Sequence, residues 1–126
     1  MRTINSTSER RSALDPLAVI KIVRNNRDMS ELQIAEIPYE DGGIRYRYSR
    51  KMSLDGERWI RDGLFRAYHP DGSLASEGNY SEGREDGPWR DYHENGQLAA
   101  EGNYSQGVEV GTWRFWNSDG VETDGK

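Results

Sequence analysis

Residues 63–122 repeat with a period of 24, and a chain built this way folds as a row of like units rather than around one central core. GLFRAYHPDGSLASEGNYSEGRED (63–86) is followed by GPWRDYHENGQLAAEGNYSQGVEV (87–110) and then by the partial copy GTWRFWNSDGVE (111–122). Gly63, Gly87 and Gly111 open the units. Phe65, Trp89 and Trp113 come next, then Arg66, Arg90 and Arg114, then the rings of Tyr68, Tyr92 and Trp116.

Each unit reads as a β-hairpin. The turns His69-Pro70-Asp71-Gly72, His93-Glu94-Asn95-Gly96 and Asn117-Ser118-Asp119-Gly120 keep one length, with Asp or Asn before a Gly that accepts positive φ. The far end turns again at Ser81-Glu82-Gly83 and Ser105-Gln106-Gly107, so the strands form an antiparallel meander. Strand period 2 then places Phe65, Trp89, Trp113 and Phe115 on one face, with Leu74, Gly78, Tyr80, Leu98, Ala100, Gly102 and Tyr104 on one side of the return strands. Arg66, Arg90 and Arg114 fall on the other face, where the simplest pairing sets Glu77 and Glu101 beside them as a ladder.

Composition agrees with a thin sheet. Only 33% of the 126 residues are hydrophobic and the mean hydropathy is −1.00, too little for a conventional two-layer core, while 14 Gly and 10% aromatics suit a twisted sheet whose few rings carry the burial. Cysteine is absent, which excludes disulfides, thiolate metal sites and a Cys nucleophile. The first residues lack the apolar centre of a secretory signal and no stretch reaches spanning length, so a soluble, cytoplasmic protein is expected. Charge is uneven: residues 1–62 carry 12 Lys and Arg against 10 Asp and Glu, residues 63–126 carry 5 against 12. An acidic repeat region repels nucleic acid and attracts basic proteins, unless it serves only as a solvated surface.

Residues 1–30 read as an N-terminal arm and lead-in, and residues 31–126 as the sheet. The arm, 1–13, is polar and aperiodic. Asp15-Pro16 can open a helix, but Leu17 to Val23 is nearly continuous and rich in β-branched residues, which favours a strand over 16–24; residues 25–28 are a turn. A diverged unit occupies about 36–62. Glu36 to Gly43 overlays Glu77 to Arg84, and Gly42 to Arg45 overlays Gly87 to Arg90, predicting strands at 44–48 and 50–54, a turn at Asp55-Gly56 and a short strand or bulged extension at Trp59-Ile60. Arg and Tyr alternate over 44–51, a pattern able to bind single-stranded nucleic acid, but a two-sided strand with packed Tyr and paired Arg explains it better.

The pattern G-x-W-R-x-Y-x-x-N-G-x-L-x-x-E-G-x-Y-x-x-G, clearest from Gly87 to Gly107, resembles the MORN-repeat variant of bacterial proteins. The resemblance covers 63–122 closely and 34–62 loosely. It implies an all-β fold: one elongated, twisted antiparallel sheet of stacked MORN-type hairpins with an irregular N-terminal segment. It also implies binding rather than catalysis, with many bacterial members labelled antitoxin or immunity proteins and eukaryotic relatives tied to membrane or protein scaffolding. The basic residue after the second turn is kept at Arg84 but replaced by Val108, and the third unit stops short of a full return strand, leaving an open edge near 123–126.

His69 and His93 hold equivalent places two strands apart, about 9.6 Å at ~4.8 Å per strand, too far for joint Zn²⁺ ligation and better read as turn residues. No nucleophile elbow, phosphate loop or catalytic carboxylate pair is present, so no enzyme, cofactor or metal is expected. Where the units differ, a partner surface can be sought. Glu82, Glu85, Asp86 and Asp91 form the acidic candidates, with Tyr92 and Trp116 as aromatic anchors. The reading is a non-enzymatic protein-binding module, an antitoxin, immunity or other inhibitory protein that occludes a basic toxin or effector; a structural or membrane-surface scaffold is the alternative.

Overall fold

The computed structural model describes residues 19–24 and 31–125. Each repeat turn reverses the chain. His69 N–H donates to Ser73 O at 2.8 Å, and His93 and Asn117 repeat the bond to Gln97 and Val121 at 2.9 Å. Asp71 Oδ1 accepts the Ser73 N–H at 2.9 Å, and Asn95 Oδ1 the Gln97 N–H at 3.0 Å, which is why these turns select Asp or Asn. The opposite turns are two residues long, with φ of 52° and 87° at Glu82 and Gly83 and 50° and 87° at Gln106 and Gly107. Positive φ at both central residues is the hairpin turn whose twist matches the strands it joins.

The result is a single open antiparallel sheet, the all-β architecture expected. Its strands are β1 Val19–Arg24, β2 Glu31–Pro38, β3 Ile44–Met52, β4 Trp59–Tyr68, β5 Leu74–Ser81, β6 Arg84–Glu85, β7 Gly87–Tyr92, β8 Leu98–Ser105, β9 Val108–Trp116 and β10 Glu122–Thr123. They lie in sequence order, with β6 pairing β5 beside β7. The strand expected over 16–24 is seen in its described part as β1, which pairs with β2 from Val19 opposite Glu36 to Arg24 opposite Glu31. The arm at 1–13 and the turn at 25–28 lie outside the described residues.

One face holds the core. Tyr46, Tyr48, Phe65, Tyr80, Trp89, Tyr104, Trp113 and Phe115 follow one another across it with centroid separations between 5.1 and 6.5 Å. Phe65 and Trp89 are each 1% exposed although the fold has a single layer, because neighbouring rings shield one another. Glycine makes this stacking fit: a Cβ on Gly78 would stand 2.3 Å from Trp89, and one on Gly102 2.2 Å from Trp113, so each indole lies flat on the backbone before it. Arg61, 3% exposed, sits among these rings, its guanidinium 4.5, 4.8 and 5.2 Å from the centroids of Tyr48, Phe65 and Tyr80 and donating to Tyr80 Oη at 3.0 Å.

Hydrogen bonds between successive turns hold the hairpins in register. Along one margin Gly83 and Gly107 N–H donate to Arg61 and Glu85 carbonyls at 2.8 Å, and Glu82 and Gln106 N–H to Asp62 and Asp86 carboxylates at 3.0 and 3.3 Å. Along the other, the Nε2–H of His69 and His93 reaches Tyr92 and Trp116 carbonyls, both at 2.8 Å. The two histidines are therefore tethers from one hairpin to the next.

The diverged unit differs from the expectation in two ways. Residues 44–52 form one strand, not two, and Trp59-Ile60 begins β4, which runs to Tyr68 with a register shift against β3 where Arg61 to Phe65 passes Arg50 to Tyr48. The turn at 39–42 is also of the other class from the one the overlay predicts. Tyr39 N–H donates to Gly43 O and Gly42 N–H to Tyr39 O, the pattern of His69 to Ser73, and Tyr39 Oη donates to Tyr68 O at 2.7 Å as His69 does to Tyr92. Tyr39-Glu40-Asp41-Gly42 is thus the counterpart of His69-Pro70-Asp71-Gly72, and β2 is an outgoing strand and β3 a return strand.

Candidate functional site

Among the described residues no element covers the face opposite the rings. Its central row runs Glu36, Arg47, Arg66, Glu77, Arg90, Glu101, Arg114, each opposite the next on the adjoining strand. Four pairs close along it: Arg47 Nε to Glu36 at 3.1 Å, Arg66 Nε to Glu77 at 2.8 Å, Arg90 Nε to Glu101 at 3.4 Å, and Arg114, which turns outward to Glu122 at 2.9 Å. The ladder foreseen between Arg and Glu is present. The bond to Glu77 raises the Arg66 pKa, and that to Arg114 lowers the Glu122 pKa.

Because β2 is an outgoing strand, the first hairpin carries the ladder with its polarity reversed. Glu36 stands where later units have Arg66, Arg90 and Arg114, and Arg47 stands where they have Glu77 and Glu101. Alternation of sign holds from Arg66 to Arg114 and fails once, where Arg47 faces Arg66 across β3 and β4. A groove of about 250 Å³ opens at this seam, lined by Ile34, Arg47, Tyr48, Ser49, Leu64 and Arg66. Leu64 also borders a second, of about 410 Å³, with Glu77, Gly78, Asn79, Pro88 and Arg90. Tyr68, Tyr92 and Trp116, all half-buried, line the same face nearer the histidine margin, and Arg114 stacks on Trp116 at 5.0 Å.

Residues 61–82 and 85–106 match the MORN repeat variant. The chain carries two such repeats. They begin near Arg61 and Glu85, just before the bulge that opens each unit, and coincide with the hairpins described above. MORN repeats are binding modules for proteins or membranes and are not known as an enzyme family. No curated protein and no solved structure was found to match the chain.

The six candidate residues do not fall on one patch. Glu82, Glu85 and Asp86 share the margin of two-residue turns, where Asp86 receives the Gln106 N–H and Glu82 pairs with Lys51. Asp91 points to the ring face and accepts the Ser76 Oγ–H at 2.6 Å. Tyr92 and Trp116 lie on the ladder face. Ile34 and Leu64, which line the first groove, are not among the candidates, and Arg47 reads in the sequence only as part of the basic and aromatic strand. The signal was available in Tyr-x-Asp-Gly, which has the spacing of His-x-Asp-Gly and fixes β3 as a return strand. Among the described residues no three His, Asp or Glu gather at a spacing able to hold a metal ion.

Proposed function

We propose that the chain is a non-enzymatic protein-binding module of the antitoxin, immunity or otherwise inhibitory kind, acting in the cytoplasm by laying its ladder face over the working surface of a partner protein. The observation that carries this reading is the division of labour between faces. The rings are consumed by mutual packing, while the opposite face keeps half-buried aromatics, two grooves and an ordered row of charge. Nine strands at ~4.8 Å and strands of about eight residues at ~3.3 Å give a face on the order of 1,000 Å², enough for an ordinary interface of about 800 Å² per partner. Tyr92 and Trp116 supply anchors of the type that dominates such contacts, and Glu82, Glu85 and Asp86 give the margin an acidic field that steers a basic partner.

A membrane-surface role receives less support. The four cations of 44–51 do not form one patch: Arg50 stacks on Trp59 at 4.2 Å and bonds Gln33, while Lys51 is held by Glu82 and Asp62. The test is affinity capture from the native host, comparing the wild type with a Tyr92→Ser/Trp116→Ser variant of unchanged melting profile. A protein partner retained by the first and lost by the second is expected. Recovery of no protein at low and moderate salt, or equal capture by both, refutes the proposal.

A further inference from the structure

We infer that the seam between β3 and β4 on the ladder face is a receptor for one carboxylate carried beside an aliphatic side chain on the partner protein, an inference that rests on the protein-binding reading above. The polarity fault is its origin. Everywhere else in the row each cation has an acid on both neighbouring strands, as Arg90 has Glu77 and Glu101. Arg66 has Glu77 on one side and Arg47 on the other, and Arg47 has Glu36 on its far side only. Arg66 donates from Nε to Glu77, on the strand away from the seam, while Arg47 Nε lies 3.1 Å from Glu36, also away from the seam, without a hydrogen bond to it. Beyond these pairs Arg66 meets the Tyr68 hydroxyl, and Glu36 is shared with Lys21 at 3.0 Å. Among the described residues three cations therefore surround two acids, with the two arginines facing each other at the groove of about 250 Å³.

The groove's other walls define the ligand. Ile34 and Leu64 flank the two Arg, and Leu64 is 40% exposed, an aliphatic surface next to two cations that face each other with no acid between them. One negative charge restores the alternation, and the guanidinium fork accepts a carboxylate through paired N–H bonds. A dianionic phosphate gains less here, because Glu36 and Glu77 stand in the same row and repel each added charge. An anionic bilayer is disfavoured further by the net charge of −5 on the whole chain.

The experiment follows the arginine Nε–H NMR signals of the intact protein, assigned with Arg47→Gln and Arg66→Gln, during titration with acetyl-Leu-Glu-amide, acetyl-Leu-Gln-amide, inorganic phosphate and anionic vesicles. Saturable shifts of Arg47 and Arg66 at millimolar acid peptide are expected, with binding about tenfold weaker for the Gln peptide and for either variant. Exposed ion pairs contribute little stability, so both variants should fold, and each serves as check on the other. Equal binding of the two peptides, shifts spread evenly over Arg90 and Arg114, or saturation by phosphate or vesicles without saturation by peptide overturns the inference. A partner captured through Tyr92 and Trp116 but indifferent to Arg66→Gln would sink the seam and spare the broader proposal. Capture of no partner alongside saturable peptide binding would do the reverse.

Discussion

Gly78→Ala tests the packing logic of the whole sheet. Gly78 is buried and its φ is not positive, so alanine can adopt the backbone, and in an open strand the change would stabilise by roughly 0.5–1 kcal/mol. Here the new Cβ would lie 2.3 Å from Cδ2 and Cε2 of Trp89. The indole has nowhere to go, because the rings of Phe65, Tyr80 and Tyr104 stand at 5.5, 5.7 and 5.7 Å and its Nε1–H is bonded to Asn79 O at 3.3 Å. Overpacking a filled core costs about 1–3 kcal/mol, and complete loss of the Trp contacts, as in Trp89→Ala, about 3–5 kcal/mol. A net loss of about 2–4 kcal/mol is expected, a large part of the roughly 5–15 kcal/mol that holds a domain together. Urea unfolding followed by tryptophan fluorescence measures it. Gly102→Ala makes the same clash with Trp113, but that ring is half-exposed and can swing outward, so its cost should be smaller, about 1–2 kcal/mol. In a Trp89→Leu background Gly78→Ala should become nearly neutral. A cost below about 0.5 kcal/mol in the wild type, or an undiminished cost without the indole, would refute the argument.

Arg61→Ala should destabilise by about 2–4 kcal/mol through the void and the lost ring contacts, and Arg61→Met, which refills the cage, should restore at least half; a loss below about 1 kcal/mol for the alanine variant would show the cage to be inert. Acid should weaken the fold. Hydrogen bonds from the Ser53 and Ser73 hydroxyls lower the pKa of Asp55 and Asp71, and the Arg114 bond lowers that of Glu122. A folded pKa below the unfolded one means the native state binds fewer protons, so the stabilisation is present above about pH 4 and is lost as pH falls through the folded values. All three groups are exposed, so the melting temperature should stay level from about pH 8 to about pH 5 and decline modestly below about pH 4; a rise on acidification would contradict the assignment.

The repeat made most of the sheet legible. Asp-Gly and Asn-Gly turns, period-2 faces and the Arg and Glu ladder all follow from local rules that each unit obeys again, so an error in one copy is corrected by the next. Residues 36–62 have no second copy. There the Glu, Gly and Tyr of one turn class could be laid over the other, and the polarity of the first hairpin came out reversed. Among the acidic candidates, period 2 already puts Asp91 on the ring face with Trp89 and Phe115, apart from Tyr92, but sequence does not show that it is held there by Ser76. Burial of Arg61 was also invisible, since a lone Arg near a bulge reads as surface until three rings are placed around it.

Tryptophan lying on the glycine of the strand before, and turns bonded to the turns before them, have a consequence for the size of such a protein. Among the described residues the contacts that fix a hairpin are made with its immediate neighbours, so none of them measures how many hairpins there are. A globular core sets its own size by closing on itself, whereas this one can be lengthened or shortened by whole units at nearly constant stability per unit. Length, rather than foldability, then becomes the quantity on which selection can act.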